Sequence, residues 1–285
     1  MKKAFKRMNA MICAIITTII LAIPSVAVDF TEYGVETEVD FSRAHEILLK
    51  KGYPQDYLET LPEIAQTALA EDTEYSFDSA IVSYYTKDGD LLGSYEISSD
   101  SVTPFAQIPD SDLTLVLTVG RSNKADKVCV TFSYLWSTLP GDYYEDALGI
   151  AWDDKCFWAE DNGFYKKDCY TARLLQLDGS LGDLKPYTHS EATHYADVND
   201  HGVVWYADLY SPSIASNKRV EQYNGFGQIV LVPQKSNFTT RIFATYVHAK
   251  SSASFSFEIP VVGVNFEIPS KTAGMATQKT YTYNK

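Results

Sequence analysis

From position 113 to 136 the residues change character at every second position, and this period of two restricts the fold more than anything else in the chain. Leu113, Leu115, Leu117 and Val119 alternate with Thr114 and Thr118. Val128, Val130, Phe132 and Tyr134 share one face, and Cys129, Thr131 and Ser133 share the other. A strand turns successive residues to opposite sides, so both segments read as half-buried strands that pair with each other. Asp88-Gly89 between 81–86 and 91–97 is a two-residue hairpin turn. Further strands are expected at 170–177, 203–210, 226–232 and 241–249. About ten short strands with turn signals between them predict a mainly β protein, specifically an antiparallel β-sandwich, immunoglobulin-like or jelly-roll-like.

One pair of segments breaks the parity. Phe255, Phe257 and Ile259 are apolar at odd positions, whereas Val262, Val264, Phe266 and Ile268 are apolar at even ones. The expectation is a bulge or bend near Pro260, of the kind that passes a strand from one sheet to another at a sandwich corner.

Helical signals are confined to 40–71. Ser42 is placed to cap a helix ending at Gly52, and Tyr53-Pro54 follows as a break. Thr60-Leu61-Pro62-Glu63 has the form of a capping box with proline in the first turn. The expected organisation is a leader over 1–27, a helical lead-in over 28–73 and a β-sandwich over 74–285. A division into two β subdomains near 138–145 is the alternative.

The leader reading rests on Lys2, Lys3, Lys6 and Arg7, an apolar run over 10–23, Pro24, and small residues at Ser25 and Ala27. This is a cleavable secretory signal, and its apolar run is shorter than the ~20 residues a spanning helix needs. Retention as an anchor is the alternative. The chain is therefore expected outside the cell or at the cell envelope, meeting the membrane only through this leader.

Removing the leader leaves 20 basic against 37 acidic residues, a net charge of −17. Such a surface is repelled by phosphate backbones and anionic lipid, which excludes nucleic acid as a partner. Three cysteines remain: Cys129, Cys156 and Cys169. In an oxidising compartment a Cys156–Cys169 disulfide is expected, bracketing a turn-rich loop over 159–167.

Three constellations bear on function. His189, His194 and His201 cluster with Glu191, Asp197 and Asp200, but His189 and His194 are five apart. Zinc-protease helices need histidines four apart, so a transition-metal site competes here with a solvated polar loop. Within the cluster, Asp197, Asn199, Gly202 and Asp208 fall at positions 1, 3, 6 and 12 of a segment that resembles a calcium loop of the EF-hand or dockerin kind. His201 stands at position 5, where a carboxylate or amide belongs. Calcium is the cofactor this resemblance implies. An Asx-rich turn entering a strand at Val203 is the competing reading. The third constellation, 142–170, interleaves rings such as Trp152, Trp158 and Tyr165 with carboxylates such as Asp154. Rings can cover the apolar faces of a sugar while carboxylates accept its hydroxyls. Cys129 and the distant His248 form no nucleophile motif, and no Gly-x-Ser-x-Gly elbow occurs.

The sequence thus points to a secreted, non-catalytic β-sandwich that binds an extracellular or envelope ligand, carbohydrate or protein. A secreted carboxylate- or metal-dependent hydrolase is the alternative. A secreted toxin is a third class, for which no motif speaks.

Overall fold

The alternating segments form strands, and enough of them to make two packed sheets. The computed structural model describes residues 37–38, 41, 43–99, 110–141, 145–153, 155–176, 178–188, 195–209, 218–250, 254–259, 264–269 and 272–285. The leader, residues 1–27, lies outside the described residues.

The chain opens with β1 (Thr37–Glu38) and three short helices, α1 (Ala44–Lys50), α2 (Gln55–Leu58) and α3 (Glu63–Glu71). Four strands follow: β2 (Tyr75–Tyr85), β3 (Leu91–Ser98), β4 (Leu113–Ser122) and β5 (Val128–Trp136). Next come β6 (Glu145–Ala151), the long β7 (Phe157–Leu175), β8 (Leu181–Thr188), β9 (Tyr195–Asn199) and β10 (Gly202–Asp208). The last five are β11 (Lys218–Pro233), β12 (Asn237–Ala249), β13 (Ser254–Ile259), β14 (Val264–Pro269) and β15 (Thr272–Asn284).

An eight-stranded sheet runs in the order β1-β8-β7-β11-β5-β4-β2-β3, and a five-stranded sheet in the order β15-β12-β6-β10-β9. The recorded pairings are antiparallel throughout, including the expected β2–β3 hairpin and β4–β5 pair. The architecture is the predicted antiparallel β-sandwich, with one addition. The helices form a third layer on the outer face of the larger sheet.

That layer explains why β4 and β5 are buried on both faces. Leu115, Leu117, Phe132 and Trp136 fill the core between the sheets, with Leu148, Trp205 and Tyr246 from the smaller one. On the other side, Leu48, Tyr57, Ile64 and Leu69 of the helices pack on Phe77, Val82, Val116 and Phe226. Thr118, Thr131 and Ser133, expected to face solvent, are buried as well. Thr118 shares a hydrogen bond with Tyr57 beneath the helices. Residues Val35–Lys285 form one compact unit.

The second helical start signal works differently from expectation, and Ser42 lies outside the described residues. α3 starts directly after Pro62 without a side-chain cap, and the Thr60 hydroxyl instead donates to the Tyr57 carbonyl at 2.7 Å, closing α2. Lys51, beyond α1, donates to the carbonyls of Leu69 (2.8 Å) and Ala70 (3.0 Å) at the end of α3. A cation there satisfies orphan carbonyls and opposes the helix dipole.

The parity break resolves as a reversal rather than a change of sheet. β13 and β14 are antiparallel partners, with Phe255 opposite Ile268 and Ile259 opposite Val264. Odd positions on one arm face even positions on the other, which is what the shifted parity encodes.

The Cys156–Cys169 disulfide is a further correction. The expected loop over 159–167 is part of β7, so the two cysteines stand at its start and well along it. The Cys156 carbonyl accepts from Gln234 N–H, whereas Cys169 pairs with Asn224. Ten residues of β11 separate those partners, about 30 Å, against the ~7 Å limit for a disulfide. Cys129, Cys156 and Cys169 are all free and buried. Thiol titration of the unfolded protein should return three reactive groups in this part of the chain; a pair unreactive before reduction would contradict the fold.

Candidate functional site

The third constellation divides when folded, and only part of it reaches a surface. Trp152 is fully buried between the sheets. Tyr165 is half-buried on the helix side, with its ring 5.5 Å from that of Phe226. Both were expected to meet ligand, and each packs against a separate core. Asp154 lies outside the described residues. Of the three described, Trp158 is the most open, with 55% of its surface exposed.

Its surroundings come from an irregularity in β7. Ala159 pairs with Leu231 and Phe164 with Ile229, so four residues of β7 stand against one of β11. This wide bulge folds back on itself at Gly163, where a Cβ would lie 3.0 Å from Glu160 and 3.1 Å from Val230. A Cβ there would be tighter than ordinary contact and would require its neighbours to give by a few tenths of an ångström, so glycine suits this irregular point of the strand. The bulge presents Trp158, Glu160, Asp161 and Phe164 along one wall of a cleft of about 500 Å³. Val198 of β9 and Asp200 of the following turn belong to the same lining. The cleft therefore joins the two sheets at one end.

The cleft is acidic. Glu160 is held in an ion pair by Lys127, and this hydrogen bond raises the Lys127 ammonium above its ordinary value. Asp161 and Asp200 are exposed. An indole face with two carboxylates nearby suits a ligand offering a C–H face and hydroxyl donors, or a cation.

Asp197, Asn199, Gly202, His201 and Asp208 lie on the β9–β10 hairpin, with Asp200-His201 as its turn. Asp197 stands opposite Val204 and Asp208 opposite Glu145, four residues farther along β10, about 13 Å. An extended hairpin does not curl positions 1 and 12 around one centre as a calcium loop does. The His201 carbonyl accepts from the Trp152 N–H at 2.8 Å, tying the turn to the end of β6. His189 and His194 lie outside the described residues. No group of three His, Cys, Asp or Glu side chains able to hold a metal is present among the described residues.

A second polar assembly escaped the sequence reading because its members sit inside strands. Asp146 of β6 is fully buried and accepts from His248 Nδ1 at 3.1 Å and the Ala249 N–H at 2.9 Å. Tyr246 also donates to it, and in turn accepts from Trp136 Nε1 at 3.0 Å. Nearby, Tyr134 donates to Asp168 at 3.0 Å, and Asp168 is ion-paired with Lys166. Burial pushes the Asp146 carboxyl above its ordinary value, opposed by the His248 hydrogen bond. The assembly is sealed from solvent and locks the sheets together. Cys129 is on the opposite face of β5 from this core, so it forms no pair with His248. Burial holds its thiol far above the ordinary value and pushes Cys169 up to about 12, which removes both as nucleophiles.

No family model and no curated protein matches the chain. Among solved structures, "BspA_C_mut" aligns at 11% identity and a TM-score of 0.28, over 58% of this chain and 54% of that one. The chain thus spans about half the length of that structure. The Streptococcus agalactiae AgI/II polypeptide BspA C-terminal domain aligns at 11% identity and a TM-score of 0.24, over 58% of each chain. A structure titled "Pore forming protein" aligns at 9% identity and a TM-score of 0.27, over 59% of this chain and 81% of that one. At such identities and TM-scores these likenesses assign neither family nor role.

Proposed function

We propose that this protein is a secreted, non-catalytic β-sandwich module that binds a carbohydrate outside the cell through the Trp158 cleft. The observation that carries the reading is Trp158 itself. Large rings in this fold are mostly buried, yet this indole stands more than half exposed on the wall of an acidic cleft of about 500 Å³. A volume of that order accommodates a small ligand. The net negative charge of the chain favours a neutral or cationic ligand over an anionic one. Sugar C–H faces would stack on Trp158, and ring hydroxyls would donate to Asp161 and Asp200.

Trp158→Ala is expected to weaken retention on a glycan array about tenfold or more, since ring truncation at a binding hot spot removes 2 kcal/mol or beyond. Stability should stay within about 0.5 kcal/mol of the parent, as for other surface substitutions. Tyr165→Ala should do the reverse, lowering stability while sparing retention. Unchanged retention in Trp158→Ala would refute the cleft as the binding site.

A further inference from the structure

We infer that the β13–β14 ribbon enters a zwitterionic lipid bilayer and, with copies of itself, lines a transmembrane β-barrel. This goes beyond the cleft reading and does not rest on it. Among the described residues, β13 pairs with β14 alone and the two form a separate sheet. In the chain the ribbon lies between β12 and β15, whose ladder runs from Asn237 opposite Asn284 to Ala249 opposite Thr272.

The register sorts its residues by polarity. Phe255 pairs with Ile268, Phe257 with Phe266 and Ile259 with Val264. The intervening pairs are Ser254 with Pro269, Ser256 with Glu267 and Glu258 with Asn265. Strand alternation thus places six apolar positions on one face and leaves both carboxylates on the other. An apolar face opposite a polar face, pair by pair, is the pattern of a strand with lipid on one side and water on the other.

The residues between the arms, Pro260, Val261, Val262 and Gly263, carry no charge. A bilayer tolerates no open strand edge, because unpaired backbone groups find no water there. One ribbon cannot span alone, so several must close on each other. The smallest such barrels have about eight strands, which means about four chains. Glu258 and Glu267 would then face the lumen and favour cations. The charge of −17 left once the leader is removed disfavours anionic headgroups, which selects a zwitterionic surface.

The test is dye release from phosphatidylcholine vesicles by the purified protein. The parent is expected to release dye, and Phe257→Asp with Phe266→Asp to reduce release about tenfold or more, since charge on a lipid-facing strand is strongly disfavoured. The thermal midpoint of that variant should match the parent, because the substitutions lie in a sheet of their own. Glu258→Gln with Glu267→Gln should keep release and lose cation preference in planar bilayers. No release by the parent would overturn the proposal. So would equal release by the aspartate variant, an unaltered ion preference in the glutamine variant, or a lipid-free dimer that the aspartate variant dissolves, which would make a second copy the occupant. The vesicles carry no glycan, so Trp158→Ala should release dye like the parent, and the two readings fail separately.

Discussion

Replacing Asp146 by alanine should lower the free energy of unfolding by about 3–5 kcal/mol, the range for breaking a buried charged pair. Chemical denaturation midpoints would measure it. The carboxylate collects donors from His248, the Ala249 N–H and Tyr246. Alanine leaves all of them buried without an acceptor, and each such loss is costly. Total stabilities of domains are about 5–15 kcal/mol, so this one change should remove a large fraction. A loss below about 1 kcal/mol, the value of an ordinary hydrogen bond, would show that water enters and substitutes for the carboxylate.

The same residue predicts a pH dependence. Desolvation raises the folded-state value of Asp146 above that of the unfolded chain. The fold thus holds this proton more firmly. The contribution is fully present below about pH 3.9 and is lost as pH rises through the folded value. Relative to Asp146→Asn, which cannot titrate, the parent should lose ground as pH climbs from about 4. A parent that gains ground over that interval would mean that the His248 contact outweighs burial.

Gly227→Val should be the second severe change, costing about 3 kcal/mol or more by overpacking. A Cβ at Gly227 would lie 2.6 and 2.7 Å from ring carbons of Trp205, which reaches across from β10. Trp205 is fully buried in the core between the sheets and has no open space to move into. Thermal unfolding would read the loss, and a smaller side chain at 205 should recover part of it, visible as coupling in a double-mutant cycle. Additive effects would mean that the clash is relieved elsewhere.

The fold was legible wherever a residue's role depends on its neighbours in sequence. Alternation at 113–119 and 128–136 located β4 and β5, and Asp88-Gly89 located the β2–β3 turn. The parity change near Pro260 was a true signal, but a bend and a hairpin reversal produce the same pattern in one dimension, and only pairing separates them. Of the candidate site, the stretch that holds Trp158, Glu160, Asp161 and Phe164 was legible, and its meeting with Val198 and Asp200 was not. Trp152, Trp158 and Tyr165 look equivalent in the sequence, yet they point to a core, a cleft and a helix layer. Gly225-Phe226-Gly227 was an available clue, since glycine inside a strand marks close approach by another group.

What the sequence determined alone is therefore local: strands by period two, and a net negative charge by count. Tertiary structure decided the rest, namely the burial of β5 on both faces, the separation of Cys156 from Cys169, the Asp146–His248 pair and the cleft at the β7 bulge. The reason is physical. Alternation sets which way a side chain points, whereas burial and partnership depend on which sheet or helix arrives there from dozens of residues away.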